Sequence, residues 1–306
     1  MNNDLSLHTI SIDSSYADGS LFYGSQYQPS VRTVQGDLEQ AIGRYTGEGD
    51  VRVTLASRTD RGVHAAGQCG IVKTKSSLSS VDFFRGIDTY LPTDLAIRSV
   101  LECKDLSWDP RSCSTGKHYR YFLLCGPDRP VLSPLARRAW YVRCAGVIEN
   151  TSIDNVSERG FPWMNLRRMR EHGKHLVGQP LDFTAMSNLD KGKTAQNSIC
   201  FLSSLDIHVG PAESGMMTNV VTIDIIGSRF LYNMVRIIVG TLVDLGLYGY
   251  VKKSGGACKH TLGEADPKAM QNILKSRNRA HASQGAPAHG LCLMEVFYNQ
   301  TGVQRI

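Results

Sequence analysis

The sequence predicts an α+β protein made of two ferredoxin-like α/β halves that share a mixed, mainly antiparallel sheet. Three observations carry this. Short alternating apolar stretches, the mark of half-buried strands, alternate with longer stretches in which apolar residues recur at helical spacing. That strand–helix order is met twice along the chain, on either side of a polar stretch near residue 115. Of the 306 residues, 42% are hydrophobic, with a mean hydropathy of −0.21. That is enough to bury a real core in an ordinary globular chain.

The two halves are read as residues 1–115 and 116–306. Residues 8–15 (His8, Ile10, Ile12) alternate as a strand, followed by the turn Asp18-Gly19-Ser20. A helix capped by Ser30 or Thr33 follows. Its stripe is Val34, Leu38, Ala41, Ile42 and Tyr45, and Gly47 stops it. Val51, Val53 and Leu55 alternate as a strand over 51–57, a second helix covers 78–87, and a strand at 95–101 follows Leu91-Pro92. In the second half, 118–124 alternates with Tyr119, Tyr121 and Leu123 on one face, and another strand spans 138–143. Residues 145–163 read as a loop or insertion. A basic amphipathic helix over 166–177 carries Arg167, Arg168, Arg170, Lys174 and His175. Strands at 199–209 and 218–226 lead to a strongly apolar helix over 230–246. A polar loop over 249–266, a helix over 267–278 and a strand from Leu291 to Tyr298 complete the order.

Charge and cysteine usage narrow the classes. A net charge of +6 and a pI near 8.9 suit a polyanionic partner without requiring one. The most apolar stretch, Phe230 to Tyr248, carries Arg236 and Asp244, which speaks against a membrane span. The eight cysteines form no C-x-x-C pair, and Cys258 with His260 lacks a second ligand pair, so no metal site is expected. Scattered cysteines read as free thiols in a reducing compartment. Met1 to Leu7 contains Asp4 and no basic apolar leader, so a cytoplasmic location is expected, with an organellar one left open.

The chemistry concentrates in Ala56-Ser57-Arg58-Thr59-Asp60-Arg61-Gly62-Val63-His64-Ala65-Ala66-Gly67-Gln68. The chain leaves a strand and presents one carboxylate, Asp60, between Arg58 and Arg61, with a glycine next. A reactive carboxylate is mounted this way, on a tight turn with cations close enough to keep it ionised. The plainer alternative is a surface ion pair worth at most about 1 kcal/mol. Tyr119 and Tyr121 are either core tyrosines or, in the case of Tyr119, a ring that stacks on a base and a hydroxyl that moves a proton. Arg236, set among Met234, Val235, Ile237 and Ile238, needs a partner because an unpaired buried guanidinium is costly. Asp60 is the natural choice.

The thirteen-residue loop resembles the catalytic loop of the tRNA pseudouridine synthase A family, roughly A-G-R-T-D-A-G-V-H-A-x-G-Q. Lys117-His118-Tyr119-Arg120-Tyr121 resembles its Y-x-Y strand, and Phe230-Leu231-Tyr232-Asn233-Met234-Val235-Arg236 its F-x-x-x-M-V-R helix start. Ala286-Pro287-Ala288-His289-Gly290-Leu291-Cys292-Leu293 resembles its closing signature, read here as structural. Weaker echoes are Tyr16 with Asp18-Gly19-Ser20, Tyr23-Gly24, Leu91-Pro92 with Asp94, and Asp109-Pro110-Arg111. The resemblance runs from about residue 8 to residue 298 and keeps the motifs in order.

It implies the pseudouridine synthase fold with a central catalytic cleft, and a cofactor-free isomerisation of uridine. In that reaction the N1–C1′ bond breaks, the uracil turns, and it rejoins through C5. It further implies Asp60 as nucleophile, Tyr119 against the base and Arg236 as the cation that keeps Asp60 charged. Arg58, Arg61, His64, Arg111, Lys117 and Phe230 become candidates for substrate contact, and Arg167, Arg168 and Lys174 for phosphates. The target base is flipped into the cleft, with Arg58 suited to fill the space it leaves. The substrate is tRNA at anticodon stem-loop positions 38–40, and the enzyme is a homodimer. The chain departs from the pattern at Arg61 (usually alanine), at Ser25 (usually tryptophan), at Thr194 to Ser198, which lacks an expected arginine, and over 145–163 and 249–266. These departures bear on how RNA is gripped. Two other readings stand: an RNA-binding or chaperone protein of the same fold without catalysis, and a synthase acting on another RNA. A glycosidase-like hydrolase needs a second carboxylate about 5 Å away, which the motifs do not offer.

Overall fold

The computed structural model describes residues 6–13, 21–143, 164–188, 198–210, 218–247 and 266–299. The Tyr16 to Ser20 echo, Cys144, the stretches 145–163 and 249–265, Cys258 with His260, and Thr194 to Asn197 lie outside them. The fold is α+β with mixed, mainly antiparallel sheets. The chain divides into two compact units, residues 1–118 with 292–306, and residues 119–291.

The first unit contains β1 (Ser6–Asp13), α1 (Val34–Thr46), β2 (Val53–Leu55), β3 (His64–Ala65), β4 (Gln68–Thr74), α2 (Ser80–Asp88) and β5 (Ala96–Glu102). Four of these strands form a sheet in the order β2-β4-β1-β5, antiparallel at every pairing. With α1 before β2 and α2 before β5, this is the βαββαβ ferredoxin-like arrangement. Thr33 caps α1 by accepting from the Gly36 N–H at 3.1 Å. Gly47 ends it with φ +76, a left-handed value that suits glycine. In α2, Ser79 accepts from the Asp82 N–H and donates to its carboxylate, a reciprocal cap. Leu38, Ile42, Phe83, Ile87, Val53, Val72 and Ile97 join in one buried cluster, so the helical stripes and the inward strand positions meet as their periods require. Arg32 ties the start of α1 to the 91–95 turn, binding Asp94 through both Nη atoms at 2.7 and 2.6 Å and Asp37 through Nε at 2.8 Å. Late in the chain, β11 (Leu291–Tyr298) returns to this unit, and its Cys292 and Leu293 pair in parallel with His64 and Ala65.

Within the first unit, the sequence expectation fails on the two sides of the Asp60 loop. The strand expected over 51–57 ends at Leu55, because Ala56 and Ser57 turn aside to bond Cys69 and Gln68. An unforeseen strand, β4, follows the Asp60 loop. Its Gly70 and its burial on both faces at Ile71 and Val72 erase the period-2 signal.

The second unit takes in most of β6 (Ser114–Gly126), then β7 (Trp140–Arg143), α3 (Leu166–Lys174), β8 (Pro180–Asp182), β9 (Ile199–Val209), β10 (Asn219–Gly227), α4 (Met234–Gly246) and α5 (Ala269–Ser276). The strand order is β6-β10-β9-β8, and β7 runs parallel to β6. Asn165 caps α3 by accepting from the Arg168 N–H at 2.9 Å. Along β6, Tyr119, Tyr121 and Leu123 are buried on one face, while Arg120 on the other pairs with Asp224 of β10 at 2.8 Å. The apolar helix expected from residue 230 starts at Met234. Asn233 adopts a left-handed φ of 59, so Phe230 to Tyr232 form an entry turn rather than helix. The helices expected over 166–177 and 267–278 are likewise a few residues shorter at their ends. No helix among the described residues is long and apolar enough to cross a membrane.

Candidate active site

Asp60 rides on a loop whose backbone is tied at almost every residue. At its root, the Ala56 N–H donates to the Cys69 carbonyl at 2.8 Å, and Arg111 Nε donates to the Leu55 carbonyl at 2.9 Å. The Gln68 amide grips Ser57 from both sides: its Oε1 accepts from the Ser57 N–H at 3.1 Å and its Nε2 donates to the Ser57 carbonyl at 2.8 Å. The Val63 N–H closes a turn onto the Asp60 carbonyl at 3.1 Å, with Gly62 at φ +85 supplying the conformation that other residues resist. Beyond the turn, the Ala66 and Gly67 N–H groups both donate to the Leu293 carbonyl. At Gly67 a Cβ would sit 2.1 Å from the Met294 carbonyl oxygen, so only glycine admits that approach.

Around this frame, Arg58 and Arg61 are exposed and Asp60 is half-buried. The Arg61 guanidinium lies 4.2 Å from the centre of the exposed Tyr23 ring, a cation–π contact. His64, read from sequence as a substrate contact, is 4% exposed in β3, beside Cys292. Lys117 is half-buried, and burial pushes its ammonium pKa below the usual lysine value. Arg111 is exposed but spends its Nε on the loop root, a job sequence reading did not assign.

The second unit carries Tyr119, Phe230 and Arg236. Tyr119 is buried and meets Phe230 edge-on, ring centres 5.0 Å apart. Arg236 lies in the first turn of α4. Its Nε donates to the Ala286 carbonyl at 2.7 Å, its Nη1 donates to Asn233 Oδ1 at 2.9 Å, and its own carbonyl accepts from the Ala286 N–H at 2.9 Å. The closing signature is therefore bolted to the arginine. Pro287 then accepts from the Tyr121 hydroxyl at 2.7 Å. Burial pushes the Tyr121 phenol far above its usual range, and the Arg236 charge pulls the other way. At Gly290 a Cβ would fall 2.5 Å from the Tyr121 ring.

Sequence reading quoted Ser25, Gln68, Asn233 and Ala286 but assigned none of them the task it performs. Ala286 stands in a recognised motif, yet its working group is a backbone carbonyl, which no side-chain pattern advertises. Of the remaining basic candidates, Arg167 pairs with Glu171 at 3.1 Å on an exposed face, while neighbouring Arg170 caps the Ile207 carbonyl at 2.8 Å. Among the described residues, no group of three or more His, Cys, Asp or Glu side chains could hold a metal ion.

The Asp60 loop of the first unit, and the Y-x-Y strand and helix-start arginine of the second, are the features by which the chain resembles the pseudouridine synthases, isomerases of uridine. A family model described as tRNA pseudouridine synthase matches residues 174–299. The chain is 34% identical over 284 residues to the tRNA pseudouridine synthase A of Geotalea daltonii, spanning 92% of this chain and 96% of that one. It is 35% identical to the enzyme of that name from Geotalea uraniireducens, with the same coverage, and 32% identical over 286 residues to that of Bacillus subtilis, again at 92% and 96%. The chain belongs to the tRNA pseudouridine synthase A family.

Proposed function

We propose that this protein converts uridine to pseudouridine in the anticodon stem-loop of tRNA, at positions 38–40, as a cytoplasmic homodimer without a cofactor. The observation that carries the reading is the Asp60 loop: a carboxylate at the tip of a turn fixed by backbone hydrogen bonds, flanked by two exposed guanidiniums. Asp60 acts as the nucleophile. Arg236 keeps that carboxylate ionised and oriented. Tyr119, stiffened by Phe230, receives the flipped uracil. The exposed Arg58 enters the space the base vacates, and Arg61 and Lys117 meet the flanking phosphates. Arg111 joins them with the guanidinium nitrogens that Leu55 leaves over.

Tritium release from [5-³H]uridine-labelled tRNA tests this directly. Wild-type protein is expected to release tritium, Asp60→Asn to release none while still binding tRNA, and the modified sites to map to positions 38–40. Release that survives in Asp60→Asn would remove the nucleophile assignment. Modification confined to another RNA would move the substrate. Tight tRNA binding with no release by the wild type would favour a binding protein.

A further inference from the structure

Ser25 stands outside the motif that carries Asp60, in a segment of the first unit that arrives from elsewhere in the chain, and it is 2% exposed. Its side chain works at both ends of one short stretch. Oγ accepts from the Thr59 N–H at 2.8 Å and donates to the Ser57 carbonyl at 3.3 Å. Its own N–H donates to the Thr59 carbonyl at 3.1 Å. The segment can come this close because residue 24 is glycine: a Cβ there would lie 2.7 Å from the Thr59 carbonyl oxygen, and its φ of +95 is a value side chains resist. Three bonds from one residue thus hold the peptide groups on both sides of Arg58 and the one that leads directly into Asp60.

We propose that Ser25 is a positioning residue for catalysis, fixing the Thr59 peptide so that the Asp60 carboxylate is held at the reacting sugar. The inference rests on the reading of Asp60 as the reacting group. A hydroxyl suits the role because it donates and accepts at once. With its proton committed to Ser57, its lone pair faces the Thr59 N–H. Alanine removes both bonds and leaves the Thr59 donor without this partner, whereas threonine keeps the hydroxyl. Rotation of the Thr59 peptide swings the next residue, and a misplacement of about 1 Å at a reacting group costs on the order of a hundredfold in rate. Substrate affinity rests mainly on basic groups outside this segment, Arg61, Arg111 and Lys117, so the swing falls chiefly on kcat.

The test compares wild type, Ser25→Ala and Ser25→Thr in tritium release from full-length tRNA, with amide exchange at Thr59 read in parallel. Ser25→Ala is expected to lower kcat by about tenfold to a hundredfold with KM for tRNA nearly unchanged. It is also expected to speed exchange of the Thr59 amide. Ser25→Thr should restore most of both. An active wild type with equally active Ser25→Ala overturns the inference and leaves the proposed function standing. So does a Ser25→Ala defect that lies in KM, or one that Ser25→Thr shares despite a normal Thr59 amide. A wild type that releases no tritium from any tRNA overturns the proposed function, and the inference falls with it.

Discussion

The Asp60 loop and the Arg236 helix start hold a charged side chain by opposite means. Asp60 sits outside regular structure, and its place is set by individual hydrogen bonds between the side chains of Ser25, Gln68 and Arg111 and backbone groups. Arg236 opens a helix in which Met234, Val235, Ile237, Ile238 and Val239 are buried, and its guanidinium is aimed by Ala286 and Asn233. Packing places the helix that carries the arginine, whereas polar contacts alone place the segment that carries the aspartate. A close-packed site resists small polar changes but not an added methyl, because interiors have no spare volume. A hydrogen-bonded loop tolerates little loss of any one donor, since each partner left buried and unpaired costs about 1–3 kcal/mol.

The sharpest test of the difference lies in the second unit. Gly240 of α4 lies against the chain just before Ala286, where a Cβ would be 2.1 Å from the Gln284 carbonyl oxygen. Gly240→Ala is expected to cost about 3 kcal/mol in denaturant unfolding, because neither backbone can yield cheaply. In the first unit, Gln68→Ala should cost about 2 kcal/mol, since Ser57 loses two bonds in a buried place. Its activity should fall further than that loss of stability explains. If Gln68→Ala melts the protein as strongly as Gly240→Ala while leaving kcat intact, the contrast fails. The smallest effect is on pH. Burial pushes the Cys69 thiol from 9.0 up to about 11. The folded state keeps the thiol protonated while the unfolded chain ionises. The resulting stability is present in full below pH 9 and is lost as the pH rises through about 11. Because the Cys69 carbonyl receives the Ala56 N–H at the loop root, Cys69→Ala should flatten that alkaline decline without changing activity at neutral pH.

The parts of the molecule held by packing were the more legible in the sequence. The stripe of α1, its Thr33 cap and its Gly47 stop follow from apolar spacing and end chemistry, as do β9 and the terminal strand. Residues 119, 121 and 123 show their shared face through simple alternation. The parts held by backbone geometry left little trace. Strand β4 hides behind Gly70, and the start of α4 depends on one left-handed asparagine whose side chain serves Arg236 instead of capping the helix. The aiming of Arg236 depends on a carbonyl of an alanine fifty residues away. Ser25 could be noticed as a departure from the family pattern, but its task lies in where the chain brings it. A serine in a polar stretch has no signature that sets a clamp apart from a surface hydroxyl.

The pairing of β11 with His64 and Ala65 also orders events in time. A ribosome delivers Asp60 early, with the βαββαβ core that can condense around it, yet the Leu293 carbonyl that anchors Ala66 and Gly67 is made only after the whole second unit. The far side of the loop is therefore sealed last. A nascent or prematurely ended chain carries Asp60 without its brace, so the loop is completed only when translation has supplied the rest of the chain.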